Sequence, residues 1–213
     1  MRHACVRAAR ALAICAITAA AVGLAAPAEA QPPREFSRAI TSEGLDQRLF
    51  DAAVLYYSNM VRRQHRRAPL TADPALAQAA AAHAQNMARL RTHAHVLPVR
   101  GQAHLQERMR RQSVSYRTAA ENIAMDKVYR LLGRPISMSS RGCSFTYADN
   151  NQQVPVHTYG SLAEQVVNRW LASPKHRESL LSPRFQRLGA GVGIDPAGPA
   201  CGDLYLVQNF AGR

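Results

Sequence analysis

Apolar residues in this chain recur first at helical spacing and then in alternating, strand-like runs. Leu45, Leu49, Ala52, Tyr56, Met60 and Arg63 follow a helical period with no Gly or Pro between them, which predicts a helix from about Leu45 to Arg66. Asp73-Pro74 pairs an N-cap residue with a proline suited to a first turn, and opens a second helix to about Leu90. One face of that Ala-rich helix carries Leu76, Ala80, His83 and Met87. Leu105 to Gln112 reads as a short third helix. Ser161-Leu162-Ala163-Glu164 has capping-box spacing and starts a fourth helix through Trp170 to Ala172. Ser173-Pro174 starts a fifth, which stops by Ser182-Pro183. Gly191–Ile194 and Leu204–Phe210 are strand-like runs separated by Asp195, Pro196, Gly198 and Pro199. Residues 127–159 are the least regular, with a hairpin signal in Cys143–Ala148 and Gln153–Thr158 around Asp149-Asn150-Asn151. Helices followed by interspersed strands predict an α+β layered domain.

The first 30 residues follow a different pattern. Arg2, Arg7 and Arg10 form a basic start, Ala11 to Ala26 is apolar, and Ala28-Glu29-Ala30 places small residues where a signal peptidase reads. This is the layout of a secretory signal peptide, favoured over a membrane anchor because the apolar run is short of the roughly 18 to 20 residues that a span needs. No transmembrane segment is therefore expected. The reading divides the chain into a signal peptide at 1–30, a flexible lead-in at 31–43 and one folded domain at 44–213. The protein is expected to be secreted or periplasmic, and a monomer.

Removing that leader changes the composition. The charge of +13 falls to +11, because the leader carries three Arg and one Glu, and 183 of the 213 residues remain. Only two of the basic residues, Lys127 and Lys175, are lysines; the rest are arginine. Cys5 and Cys15 leave with the leader, so Cys143 and Cys201 are the mature pair. In an oxidising compartment such a pair favours one disulfide over two buried free thiols. The excess positive charge points to envelope anions and not to nucleic acid, which a secreted protein rarely meets.

Histidines and carboxylates carry the candidate chemistry. His65, among Arg62, Arg63, Arg66 and Arg67, reads as a solvated basic helix end, with an anionic lipid or polysaccharide site as the sharper alternative. His83 reads as a core histidine. His93-Ala94-His95 can place two imidazoles on one divalent ion when extended, although the pair alone is a weak signal. His176 lies in the first turn of the fifth helix. Glu121, in Ala120-Glu121-Asn122-Ile123-Ala124, is an acid in apolar surroundings with no cap to make.

Together these segments resemble the CAP superfamily, also called the SCP domain family: cysteine-rich secretory proteins, antigen 5 and plant pathogenesis-related 1 proteins. The likeness is to its bacterial secreted branch and covers about Leu45 to Phe210. Leu70, Asp73 and Leu76 fill a Leu-x-x-Asp-x-x-Leu pattern, followed by His83-Ala84. The family's functional histidine follows Met87 by about eight residues, a spacing that His95 meets and His93 does not. Tyr116–Ala124 resembles the Gly-Glu-Asn-Ile segment, with Ala120 in place of Gly. Val166–Leu181 resembles the Trp-x-x-Ser-Pro-Gly-His-Arg helix pair, with Lys175 in place of Gly and Ser179 where Asn is common. Leu188–Ile194 and Val207–Phe210, ending in Gln208-Asn209-Phe210, resemble the closing strands.

The resemblance implies a three-layer α-β-α sandwich with a central antiparallel sheet and a large open cleft. By position the cleft residues are His95, Glu121 and His176. Many animal members add a Glu where this chain has Ser173; Glu164 is better explained by its capping box. Two neutral imidazoles and a carboxylate can hold a divalent metal, zinc above all, with a position open to water. Family members are linked to divalent cations and to lipids or sterols. The leading expectation is a binding module. The alternative is a hydrolase acting in the cell envelope or outside the cell, in which a metal-bound or His-activated water attacks the substrate with Glu121 as general base. A third is an envelope protein whose arginines meet anionic glycans or lipid headgroups. Ser173 is not expected to be a nucleophile, since as N-cap its hydroxyl should face its own helix amides.

Overall fold

A computed structural model describes residues 31–41, 44–139 and 142–213. The expected signal peptide, with Cys5 and Cys15, lies outside the described residues. The helices are α1 (Gln47–Gln64), α2 (Pro74–Leu90), α3 (Leu105–Arg111), α4 (Tyr159–Ala172) and α5 (Pro174–Leu181). The strands are β1 (Thr71–Ala72), β2 (Thr118–Lys127), β3 (Ile136–Met138), β4 (Phe145–Tyr147), β5 (Arg187–Asp195) and β6 (Asp203–Gly212).

The fold is α+β. Its central sheet has the order β1-β5-β6-β2. β5, β6 and β2 run antiparallel, while the two-residue β1 adds a parallel edge through Thr71 opposite Arg187. Alternation along the strands feeds two layers. Leu188, Ala190, Val192, Leu204, Leu206 and Phe210 pack toward α1 and α4. Tyr205, Val207 and Ile123 pack with Ala80, Ala84 and Met87 of α2 on the other face. α2 comes down onto β5 because β5 carries glycine on that face. A β-carbon on Gly191 would lie 2.1 Å from the Ala81 amide nitrogen.

Asp73 caps α2 as expected, its Oδ1 accepting from the amides of Ala75 (2.9 Å) and Leu76 (3.2 Å). The face of α1 is set differently from the expectation. Phe50, Ala53, Val54, Tyr57 and Val61 are buried, whereas Ala52 is exposed and Tyr56 and Met60 lie at the margin. The buried row lies one residue further along, because α1 packs between α4 and the sheet and can bury a wider stripe than one helical row. Arg62 is also buried, at 1% exposure, and so is not part of a solvated basic end.

Two capping expectations are corrected. α4 starts at Tyr159 with Thr158 as N-cap; the Thr158 and Ser161 side chains exchange the capping-box bonds, and Glu164 is exposed. Ser173 flanks α5 with no side-chain cap bond, so its hydroxyl is not held by its helix amides. The lead-in is also not loose over its described part. Arg34–Ser37 form a 3-10 turn, Phe36 and Ile40 are buried, and Ala39 bridges to Thr158. Phe36 and Ile40 are apolar anchors within an otherwise polar stretch.

In the irregular region, Asn151 closes the expected turn by donating its amide to the Tyr147 carbonyl at 2.9 Å. The return arm bridges to β4 at Thr146–Gln153, and its Val156 and Thr158 bridge instead to Tyr129 and Ala39; the regular partner of β4 is β3. Cys143 and Cys201 are disulfide-bonded and tie this hairpin to the turn before β6.

Candidate functional site

β2 is an edge strand, and the site straddles it. Odd positions such as Ile123 face α2, so Glu121 turns to that side; even positions such as Asn122 turn to the layer of α1, α4 and α5. This alternation puts the acid among His83 of α2, His95 from the segment after α2, and Arg108 of α3.

Glu121 is held from several sides. Arg108 Nη2 donates to its Oε2 at 2.7 Å, and His95 Nδ1 lies 2.9 Å from its Oε1. His83 Nε2 is 3.7 Å from the same Oε1. With the Asn209 amide turned as its neighbours require, its nitrogen donates to Oε2 at 3.2 Å. The Glu121 side chain is 4% exposed and that of Arg108 is 0% exposed, while that of His95 is 53% exposed. Burial pushes the Glu121 carboxyl up, but the His95 hydrogen bond, the Arg108 guanidinium and His83 together outweigh it and hold it below the usual range. His83 moves down to about 4, chiefly by burial.

His176 approaches from the opposite layer. Asn122 Nδ2 donates to the His176 carbonyl at 3.1 Å and to Gln208 Oε1 at 3.2 Å. Gln208 Nε2 donates in turn to Ser58 Oγ at 2.8 Å. A buried polar chain thus runs from α1 through β6 and β2 to α5 and fixes where His176 sits. α4 closes the edge of β2: Trp170 Nε1 donates to the Ile123 carbonyl at 3.2 Å and Arg169 Nη1 to that of Met125 at 2.7 Å. His176 is shifted down by burial, then by nearby His95 and Arg169. His93 is shifted down by burial, then by His95, Arg169 and His176. His93 and His176 are therefore neutral at pH 7.

Of the expected residues, the structure brings His95 and Glu121 into direct contact and sets His176 across the strand edge, within electrostatic reach of His95. His93, set aside on spacing, stands with them. Arg108 was not foreseen. Its signal was local: Leu105, Arg108 and Met109 fall on one helical face, so a helix that buries Leu105 and Met109 carries the arginine inward.

This geometry bears on a metal. Among the described residues no three His, Cys, Asp or Glu side chains are grouped as a metal site. Glu121 already has a resident cation, because the Arg108 guanidinium is buried against it. A zinc ion would have to share that carboxylate with a like charge in a poorly hydrated site. The set of His95, Glu121 and His176 does not fit a three-ligand zinc centre.

Comparison with known proteins adds the family. Residues 55–210 match the model of the cysteine-rich secretory protein (CAP) family. The chain is 26% identical over 142 residues to the uncharacterized protein YkwD of Bacillus subtilis (strain 168), a match that spans 67% of this chain and 42% of that protein. Its fold is similar to that of an extracellular protein containing an SCP domain from Bacillus anthracis, with TM-score 0.53 and 22% identity, covering 77% of this chain and 40% of that one. It is also similar to an outer surface protein of Borrelia burgdorferi, with TM-score 0.52 and 16% identity, covering 79% of this chain and 97% of that one. No described helix is long and apolar enough to cross a membrane. The edge-strand glutamate, its flanking histidines and the three-layer fold thus occur in a chain that belongs to the cysteine-rich secretory protein (CAP) family.

Proposed function

We propose that this CAP domain is an exported binding module. Its site presents His95 and His176, with His93 and Arg169 at the margin, to a small polar ligand. The Arg108–Glu121 pair forms the floor. The observation that supports this most is the commitment of Glu121. A general base works best with a pKa near the working pH and a free lone pair toward its water. Glu121 is held below the carboxylate range, and its oxygens are taken up by Arg108, His95 and Asn209. It acts as a framework anion that orients His95, not as a water-activating base. His93 and His176, shifted down chiefly by burial, are neutral imidazoles that can both donate and accept hydrogen bonds. The surrounding imidazole, guanidinium and amide groups favour a polar ligand over a lipid tail or sterol. Export is supported by the basic-apolar-small pattern of residues 1–30 and by the disulfide. The extracellular and outer-surface descriptions of the two similar structures agree with it.

Two assays test the reading. A fragment library of small polar compounds, screened by saturation-transfer NMR, should give hits that His95→Ala and His176→Ala both lose. Esterase and peptidase assays with p-nitrophenyl acetate and casein should show no turnover that depends on Glu121. Hydrolysis abolished by Glu121→Gln would overturn the binding-module reading in favour of a hydrolase.

A further inference from the structure

Part of the arginine charge is neutralised within the molecule. Arg38, Arg91, Arg108, Arg134, Arg169 and Arg187 each pair with an Asp or Glu. Among the described residues, exposed Arg63, Arg66, Arg67, Arg177 and Arg184 make no ion pair. Three of them, Arg67 from the α1–β1 loop, Arg177 from α5 and Arg184 from the α5–β5 turn, line one surface groove of about 420 Å³. A single carboxylate, Glu178, shares it.

A further positive charge lies behind this groove. Buried Arg62 donates to the carbonyls of Ala68 (2.7 Å), Leu180 (2.8 Å) and Ser182 (3.1 Å). Those carbonyls belong to the segments that carry Arg67, Arg177 and Arg184, so Arg62 ties the groove together from beneath. Carbonyls satisfy its donors without neutralising its charge. Burial, then the Arg67 charge, pushes its guanidinium down. Like charges gathered around a single carboxylate cost stability, and a bound polyanion offsets that cost.

We propose that the groove between the end of α1, α5 and the α5–β5 turn is a docking surface for an anionic polysaccharide. The lining favours a polysaccharide over a bilayer. Three guanidiniums share a shallow groove bordered by Pro174, Pro183 and Leu181. The exposed large apolar side chains that would anchor a membrane contact, Val96, Leu132 and Met138, lie outside it. Carboxylate, sulfate or phosphate groups repeated along a sugar chain would each find a guanidinium.

The test uses a heparin oligosaccharide and, separately, vesicles of phosphatidylcholine with phosphatidylglycerol. Arg67→Gln/Arg177→Gln/Arg184→Gln should weaken oligosaccharide binding about tenfold or more and reduce the salt slope by about 2 to 3. A control with the same charge change, Arg34→Gln/Arg110→Gln/Arg111→Gln, should stay within about twofold of the parent. The oligosaccharide should also raise the thermal midpoint of the parent but not of the groove variant. Equal weakening by both triples would show diffuse attraction to net charge and overturn the groove. Binding to the vesicles without binding to the oligosaccharide would overturn the glycan in favour of a membrane surface.

Discussion

Arg108 and Glu121 form an ion pair with N–O distance 2.7 Å and side chains 0% and 4% exposed, one from a short helix and the other from an edge strand. Removing one partner of a buried pair leaves the other charge without compensation, while removing both is much better tolerated. Arg108→Met should therefore cost about 3–5 kcal/mol in urea unfolding at neutral pH. Glu121→Gln should cost less, because Arg108 keeps the carbonyls of Gln102 (3.2 Å) and Ala103 (3.0 Å). The double variant should recover much of the Arg108→Met loss. Strictly additive losses would mean that the two side chains are not coupled.

The pH dependence of stability follows from two buried histidines and one half-buried aspartate. His83 and His157 are lowered from 6.5 to about 4, in each case chiefly by burial, against opposing carboxylates at Glu121 and Asp126. Between those values the unfolded chain binds more protons than the folded one, so stability falls as pH drops from about 6.5 to 4. Each histidine accounts for up to about 3 kcal/mol. Asp51 has the opposite sign. Burial raises it from 3.8 to about 6, opposed by the Ala190 amide, so over that window it adds stability as pH falls. Two histidines outweigh one aspartate, and the net effect is acid destabilisation. Asp51→Asn removes the compensating uptake and should steepen the loss. Denaturant unfolding across this range checks both; a flat profile in the parent contradicts the assignment.

Gly191 marks the closest approach of α2 to the sheet. An alanine β-carbon there would sit 2.1 Å from backbone nitrogen and 2.4 Å from Cα of Ala81, so the helix would have to lift. Gly191→Ala should cost about 3 kcal/mol, at the upper end of overpacking losses. Because α2 carries His83 and leads into His95, the His95 imidazole resonance should shift as well. A variant of parental stability would show that α2 does not rest on β5 here.

Local signals gave the helices well and the site only in part. Asp73-Pro74 marks the start of α2 because a cap acts over three residues, and Leu76, Ala80, His83 and Met87 lie on its buried face as read. The α4 cap was displaced because Ser161 serves as the acceptor at N3, a role that the Ser-x-x-Glu pattern assigns elsewhere. β2 was hard to read as a strand because its ten residues include Glu121, Asn122 and Asp126, polar groups satisfied only by other segments. Resemblance to family motifs, which preserve order along the chain, points to His95, Glu121 and His176. Arg108 and Asn122 act across layers, on Glu121 and on the His176 carbonyl. Such partnerships depend on which face of the sheet each residue takes.

On the proposed reading Glu121 is a fixed anion, neutralised within the protein, and not a proton acceptor for catalysis. A ¹³C NMR titration of the Glu121 carboxyl, assigned through Glu121→Gln, measures this directly. The predicted result is a carboxylate that stays ionised below the ordinary midpoint of about 4.3, until the fold itself gives way. A midpoint raised toward neutrality, as a general base requires, would contradict it.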